Sequence, residues 1–343
     1  MSLFNFFTEE IAIDLGTANT LIIHNDKVVV DEPSIVAIDR KTDKVKAVGT
    51  KAMMMHEKTH DNIKTIRPLK DGVIADFQAA ESMIREMIKM IYEGKRKPIF
   101  PPSYNMVICI PSGITEVEKR AVKDSALNSG GKMVKMIHEP MAAAIGIGID
   151  VEEPSGNMII DIGGGTTEIA VISLSGIVSD QSIRVAGDEF TSNIVNYMRR
   201  QHNMMIGERT AEQIKINVGS ALSELETPLE DFAVNGRDLM TGIPKQIMVT
   251  YSEVAHALDK SISKIEEAIL KALETTPPEL AADIYKTGLY LTGGGALLTG
   301  LDKRIASKTK LPVHVAEDPL RAVVRGTGIA LKKMDQYTFL MDD

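Results

Sequence analysis

The chain is poor in several things that usually betray a protein's surroundings. Among 343 residues there is a single cysteine, Cys109, and no tryptophan. One cysteine closes no internal disulfide, which points to a reducing compartment. Cys109 stands inside the apolar run Met106-Val107-Ile108-Cys109-Ile110, where it reads as core filler and not as a nucleophile. No apolar run reaches the roughly 18–20 residues that a membrane-spanning helix needs. The first ten residues have no basic stretch ahead of an apolar one, which is not the pattern of a secretory signal. Basic residues are outnumbered, 39 Lys and Arg against 47 Asp and Glu, so no nucleic-acid partner is expected. The histidines offer no zinc pattern: His56 and His60 are four apart but flank Lys58 and Thr59 in a polar stretch, and read as surface residues.

What is present is one pattern, twice. Ile11-Ala12-Ile13-Asp14-Leu15-Gly16-Thr17-Ala18-Asn19-Thr20 and Met158-Ile159-Ile160-Asp161-Ile162-Gly163-Gly164-Gly165-Thr166-Thr167-Glu168-Ile169 are both apolar runs that end in Asp, pass through a Gly/Thr turn and return to apolar residues. Each reads as strand, tight turn, returning strand. A third segment, Leu289-Tyr290-Leu291-Thr292-Gly293-Gly294-Gly295-Ala296, puts a glycine turn after a strand and ahead of a helical pattern. The length allows two lobes with cores of their own, and 44% hydrophobic with 25% charged residues is ordinary for a globular protein.

Strand and helix signals alternate along the chain, the mark of α/β architecture. Residues 11–39 read as strands. Met83, Ile84, Met87, Ile88 and Ile91 recur at helical spacing and form one buried face. Three prolines in the stretch 98–102 make it a loop, followed by a strand at 105–110. Thr115 and Glu118 have capping-box spacing and open a helix that ends near Gly130-Gly131. A tightly packed helix is expected over 140–149, and further helices over 189–203, 208–225 and 252–274, the last ended by Pro277-Pro278. No long linker separates the halves, so the lobes are expected to interleave.

Glycine turns let backbone N–H groups approach phosphate oxygens, because no Cβ stands in the way. Thr17, Asn19, Thr20, Thr166 and Thr167 add side-chain donors. Asp14 and Asp161 would repel phosphate directly; as partners of Mg²⁺, through its waters, they make sense. A lone Gly-Gly-Gly is an ordinary turn, whereas three matched segments suggest a nucleotide site. Glu139, followed by Pro140, opens a helix, and a carboxylate there can orient a water for attack on a γ-phosphate. Taken alone, such a Glu is only a helix-dipole partner.

Five segments together resemble the actin-like ATPase superfamily: the first hairpin, the Ile110-Pro111 connector, the Glu139-Pro140 turn, the second hairpin and the Thr292-Gly293-Gly294-Gly295 turn. The wording is closest to the bacterial MreB cell-shape family, adding Glu32-Pro33-Ser34, Arg67-Pro68-Leu69, Asp71-Gly72-Val73-Ile74-Ala75-Asp76 and Leu297-Leu298, over residues 9 to 333. The resemblance implies an actin-like (ribonuclease H-like), duplicated two-lobe fold with a central nucleotide cleft and four subdomains. Lobe I would take 1–32, 75–144 and 318–343 as its large subdomain and 33–74 as its small one. Lobe II would take 145–187 and 254–317 as large and 188–253 as small. Asp14, Gly16, Thr17, Ala18 and Asn19 would line the first phosphate loop; Asp161, Gly163, Gly164, Gly165 and Thr166 the second; Gly293, Gly294, Gly295 and Ala296 the adenosine turn. Glu139 would position the hydrolytic water, and Thr167 would sense the γ-phosphate. Glu212 and Lys215, i,i+3 on one helix, are similar to the family's nucleoside-contacting pair; read without the resemblance, they are a surface ion pair. The cofactors implied are ATP and Mg²⁺. The implied activity is slow ATP hydrolysis tied to filament dynamics, in paired head-to-tail filaments of this chain that maintain rod shape by organising peptidoglycan synthesis with the cell-elongation machinery.

A membrane partner is the second expectation. Aromatics are only 4% of the chain, yet three of its eight Phe fall in the first seven residues, as Leu3, Phe4, Phe6 and Phe7 crowd that end. Ile99 and Phe100 follow Lys95, Arg96 and Lys97 on the proline loop. Apolar tips beside basic residues suit a lipid headgroup surface, and MreB-like proteins bind membranes through such segments. The alternative is that both clusters fold onto the core. Binding of a few side chains is worth ~2–5 kcal/mol after ordering costs, weak for a monomer and strong for a filament. The expected location is therefore cytoplasmic, on the inner face of the cell membrane. Two other classes compete. A chaperone ATPase lobe needs a substrate domain after the nucleotide domain, and none is expected beyond Leu331-Lys332-Lys333. A metabolite kinase needs a further acceptor-site Asp, and none is recognisable.

Overall fold

The computed structural model describes residues 8–93 and 102–342. These divide into two compact units: residues up to Pro154 with Ile172–Ile177 and Leu320 onward, and Ser155–Val171 with Val178–Pro319.

The first unit opens with strands β1 (Thr8–Leu15), β2 (Asn19–His24) and β3 (Lys27–Pro33). β4 (Val36–Asp39), β5 (Val45–Val48), helix α1 (Gly49–Met55) and β6 (Ile63–Ile66) follow, then the short pair β7 (Leu69–Lys70) and β8 (Val73–Ile74). Helix α2 (Phe77–Met90), β9 (Ser103–Ile110), α3 (Glu116–Asn128), β10 (Gly131–His138) and α4 (Glu139–Gly146) complete the run. Among the described residues the main sheet has the order β10-β9-β1-β2-β3, with β1 parallel to β9 and antiparallel to β2. Ile11, Ala12 and Ile13 have no exposed surface, as a central strand covered on both faces requires.

Local chemistry accounts for the helix ends. Asp76 caps α2 through the Ala79 N–H, and the expected face is buried at Met83, Ile84, Met87 and Ile88. At α3 the capping box forms as the spacing foretold: Thr115 Oγ1 accepts from the Glu118 N–H, and Glu118 answers on the Thr115 N–H.

The second unit holds β11 (Asn157–Ile162), β12 (Thr167–Ser173) and β13 (Gly176–Ile183) apart from the Ile172–Ile177 stretch, then α5 (Gly187–Gln201), β14 (Met204–Met205), α6 (Glu208–Val218), β15 (Phe232–Asp238) and β16 (Pro244–Val249). Next come α7 (Tyr251–Thr275), α8 (Pro278–Thr287), β17 (Leu289–Thr292), a single 3₁₀ turn over Gly294–Leu297, α9 (Leu301–Thr309) and β18 (Val313–Val315). Its main sheet runs β13-β12-β11-β17-β18. With strands numbered in chain order within each main sheet, both have the order 3-2-1-4-5, so the duplicated motif belongs to a duplicated topology. The last helix, α10 (Ala322–Lys332), belongs to the first unit and packs on α4. That crossing is backbone against backbone: a Cβ on Gly326 would lie 1.7 Å from the Ala142 carbonyl oxygen, and one on Gly146 would lie 1.8 Å from that of Ala322.

Two expectations need correcting, and a third holds with an addition. The helix expected over 208–225 stops at Val218, because Gly219 is extended and Ser220 turns its hydroxyl onto the local backbone, bonding Leu222. The helix expected over 140–149 spans Glu139–Gly146, and Gly148 then takes positive φ. Pro277-Pro278 ends α7 as expected and also starts α8, since Pro278 occupies the first helical position, where its missing N–H costs nothing.

Candidate functional site

The first turn is built in the first unit. Asp14 and Leu15 end β1 against Leu21 and Thr20 of β2. A Cβ on Gly16 would lie 2.6 Å from the Asn19 carbonyl oxygen, so only glycine closes this turn. Ser34, just after β3, holds the turn from one side. Its hydroxyl donates to the Gly16 carbonyl at 2.6 Å, and its N–H donates to the Ala18 carbonyl at 2.9 Å. With its one proton spent on Gly16, Ser34 Oγ accepts from Thr20 Oγ1 at 2.8 Å. A trans peptide points its carbonyl and the following N–H in opposite directions. The N–H groups of Thr17 and Asn19 are therefore turned away from Ser34. The Thr17 hydroxyl accepts from the Gly72 N–H at 2.9 Å, so the Asp71-Gly72 turn docks on it.

Asp14 is held at the end of β1, where the Cys109 thiol donates to its Oδ1 at 3.1 Å. Burial pushes the Asp14 carboxyl up to about 6, with the thiol's hydrogen bond opposing the shift. The Cys109 thiol is itself pushed well above its ordinary value, first by burial, then by the charges of Asp14 and Glu139. Cys109 is core, as its sequence context indicates, and it is also the hydrogen-bond partner of a site carboxylate. Glu139 is the first residue of α4, with Pro140 behind it. The first unit thus brings Asp14, the 16–19 turn and Glu139 into one electrostatic neighbourhood.

The second unit builds the other turn on the same plan. The Gly163 N–H donates to the Thr166 carbonyl at 2.9 Å, closing the loop between β11 and β12. Its carbonyls are gripped by the start of α5: the Gly187 N–H donates to Gly163 O at 3.1 Å, and the Asp188 N–H donates to Gly164 O at 2.8 Å. By the same peptide geometry, the N–H groups of Gly164 and Gly165 point away from α5. Two otherwise orphaned N–H groups of the helix are satisfied in the process. Thr167 has no exposed surface, and its hydroxyl donates to the Val185 carbonyl at 2.7 Å.

Asp161 is buried at the end of β11 and accepts from Thr292 Oγ1 at 2.8 Å. The third glycine turn packs on the same strand end. Gly293 has φ +78, and a Cβ there would lie 2.4 Å from the Ile162 carbonyl oxygen and 2.9 Å from Asp161 Oδ1. The helical pattern expected after this turn is the one 3₁₀ turn, with α9 starting only at Leu301. Glu212 and Lys215 form their ion pair at 2.7 Å. Lys215 Nζ also donates to the Gly187 carbonyl at 3.0 Å, so the pair is tied to the start of α5.

Each unit offers one turn-end carboxylate, and the described residues hold no group of three metal-type side chains. A lone carboxylate of this kind fits Mg²⁺ kept mainly by water and phosphate oxygens, the habit of this ion, and does not fit a cage of protein ligands. Sequence reasoning did not single out Ser34, Gly187 or Thr191 as site residues. Ser34 stands in one of the family-like motifs; Gly187 and Thr191 carried no local signal. Leu3, Phe4, Phe6, Phe7, Ile99 and Phe100 lie outside the described residues.

A duplicated 3-2-1-4-5 mixed sheet, with a glycine turn closing the first strand of each copy, defines an α/β protein of the actin-like class. The family model described as MreB/Mbl protein matches residues 8–338, and the chain belongs to this family. It is 48% identical over 331 residues to the cell shape-determining protein Mbl of Bacillus subtilis, covering 96% of this chain and 98% of that one. It is 47% identical over 336 residues to the cell shape-determining protein MreB of Escherichia coli, covering 96% and 95%. Among solved structures it is similar to MreB 5 of Spiroplasma citri bound to AMPPNP, with a TM-score of 0.89, 39% identity and coverage of 96% and 97%.

Proposed function

We propose that the chain is an actin-like ATPase that binds Mg-ATP through its two Gly/Thr turns, polymerises at a membrane surface and takes part in determining cell shape. One observation carries the nucleotide reading: in both turns the carbonyls are anchored from behind, by Ser34 in one and by Gly187 and Asp188 in the other. The opposite edges then present N–H groups in fixed array, the arrangement that receives phosphate oxygens. The binding of AMPPNP by the Spiroplasma citri relative supports the reading.

Thr17, Ala18, Asn19 and Gly163 to Thr166 bind phosphate in this reading. Asp14 and Asp161 would hold Mg²⁺ through its waters, and the ion would offset phosphate charge. Gly293 to Ala296 pack against the base, and Glu212 and Lys215 read the nucleoside. Glu139 takes a proton from, and orients, the attacking water. The Thr167 proton is committed to Val185, so this residue registers the γ-phosphate as an acceptor, through a water. Hydrolysis is slow and loosens the filament. The small subdomains of the reading, 33–74 and 188–253, take in the separate three-stranded sheets β5-β4-β6 and β14-β15-β16.

Filaments form head to tail, a heterologous contact that propagates, and are paired. The names of the Bacillus subtilis and Escherichia coli relatives support a part in cell shape, reached through peptidoglycan synthesis with the elongation machinery. The membrane reading draws support from register. Thr8 and Ser103, the first residues of β1 and β9, are partners in the parallel pair, so these two strands begin side by side. Nothing in the site favours the chaperone or kinase alternatives. Calorimetric titration with Mg-ATP, followed by sedimentation with and without vesicles, tests the proposal. Saturable binding and ATP-dependent pelleting are expected; absence of heat with every adenine nucleotide would defeat it.

A further inference from the structure

We infer that Thr191 is a positioning residue that couples the Glu212–Lys215 pair to the second phosphate turn; the inference rests on the nucleotide reading above. Thr191 lies one turn into α5 and is buried. Its hydroxyl has one proton and two acceptors in range: the Gly187 carbonyl at 2.9 Å and Glu212 Oε2 at 2.8 Å. Thr191 Oγ1 accepts from Lys215 Nζ at 3.1 Å. Lys215 in turn donates to the Gly187 carbonyl, and the Gly187 N–H holds Gly163 of the turn. A continuous polar path therefore runs from α6 through Thr191 and Gly187 to the Gly163-Gly164 carbonyls.

The single proton makes the path a choice between two partners. When Glu212 is free to accept from Thr191, the Gly187 carbonyl is held by Lys215 alone. When a ligand hydroxyl donates to Glu212 Oε2, which already accepts from both Thr191 and Lys215, it displaces the Thr191 proton onto Gly187, and the support of the turn tightens. Occupancy at the nucleoside end thereby firms the grip on phosphate. Gly187 is part of the device: a Cβ there would lie 3.3 Å from Gly163 O and 3.3 Å from Lys215 Nζ.

The test is a double-mutant cycle on the full chain, reading Mg-ATP affinity by calorimetry. Thr191→Val keeps the side-chain shape and removes the hydroxyl. It is expected to weaken Mg-ATP about tenfold, and Thr191→Ser to restore affinity to within about twofold. Combined with Lys215→Met, the valine variant should cost more than it does alone, because Thr191 and Lys215 both donate to the Gly187 carbonyl and the double variant strands it. A double-variant loss that is only the product of the two single losses, or full affinity in Thr191→Val, overturns the inference while leaving the nucleotide reading intact. Should the valine variant fold poorly, Gly187→Ala interrupts the path at its next member; several-fold weaker binding supports the coupling and unchanged binding overturns it. A wild-type chain that binds no Mg-ATP removes both readings together.

Discussion

Replacing Ser34 by alanine removes one hydroxyl from beneath the first turn and changes almost nothing else. The residue is 1% exposed, so water does not take the hydroxyl's place. Two hydrogen bonds go: the one to the Gly16 carbonyl at 2.6 Å and the one from Thr20 at 2.8 Å. Thr20 can re-aim its proton, whereas the Gly16 carbonyl keeps no donor on that side. One stranded acceptor, half-buried here, costs about 1 kcal/mol, the low end of the range for a buried group. The Ser34 N–H still holds Ala18, so the turn loosens on its Gly16 side and does not collapse. Nucleotide must then re-order the Thr17 N–H on binding, and about 1.4 kcal/mol of lost order reads as a tenfold weaker Kd. Calorimetry of Ser34→Ala with Mg-ATP, beside urea unfolding, separates the two effects. Lower stability with unchanged Mg-ATP affinity would refute the argument that anchored carbonyls are what present the N–H groups.

Three further outcomes are expected. Glu139→Ala should retain nucleotide binding, slow phosphate release and give persistent filaments; unchanged turnover would remove Glu139 from its role. Gly326→Ala places a methyl on the Ala142 carbonyl and should cost about 3 kcal/mol or more, while Gly328→Ala on the same helix meets only the Ile23 side chain at 3.0 Å and should cost far less, as thermal unfolding of the pair will show. Asp238 is held below its ordinary value of 3.8 by Lys245 and by the N–H groups of Thr241 and Met240. A depressed folded-state pKa means stability that is complete above 3.8 and fades as pH falls below it, so the protection of the Met240 and Thr241 amides, measured against their intrinsic exchange rates, should fall only in that acid window, and Asp238→Asn should abolish this dependence.

Much of this protein was legible before any coordinates. The capping box at Thr115 and Glu118, the buried face from Met83 to Ile88 and the two hairpins depend on neighbours within a few residues, and short-range chemistry is written in order along the chain. The elements that escaped were short or closed by distant partners. α8 hides behind Pro277-Pro278, which reads as a stop and serves also as a start. α6 ends early because Ser220 prefers its local backbone, a competition that periodicity does not display.

The sequence alone determined that there are two Gly/Thr turns, that a carboxylate ends the strand before each, and that the family-like wording surrounds them. Only the tertiary structure decided what stands behind each turn. Ser34 lies 18 residues from the Gly16 carbonyl it holds, and Lys215 lies 28 residues from the Gly187 carbonyl it grips. Such groups meet only when sheet and helix have packed, because a hydrogen bond is fixed by distance and direction in space, and neither is set by separation along the chain.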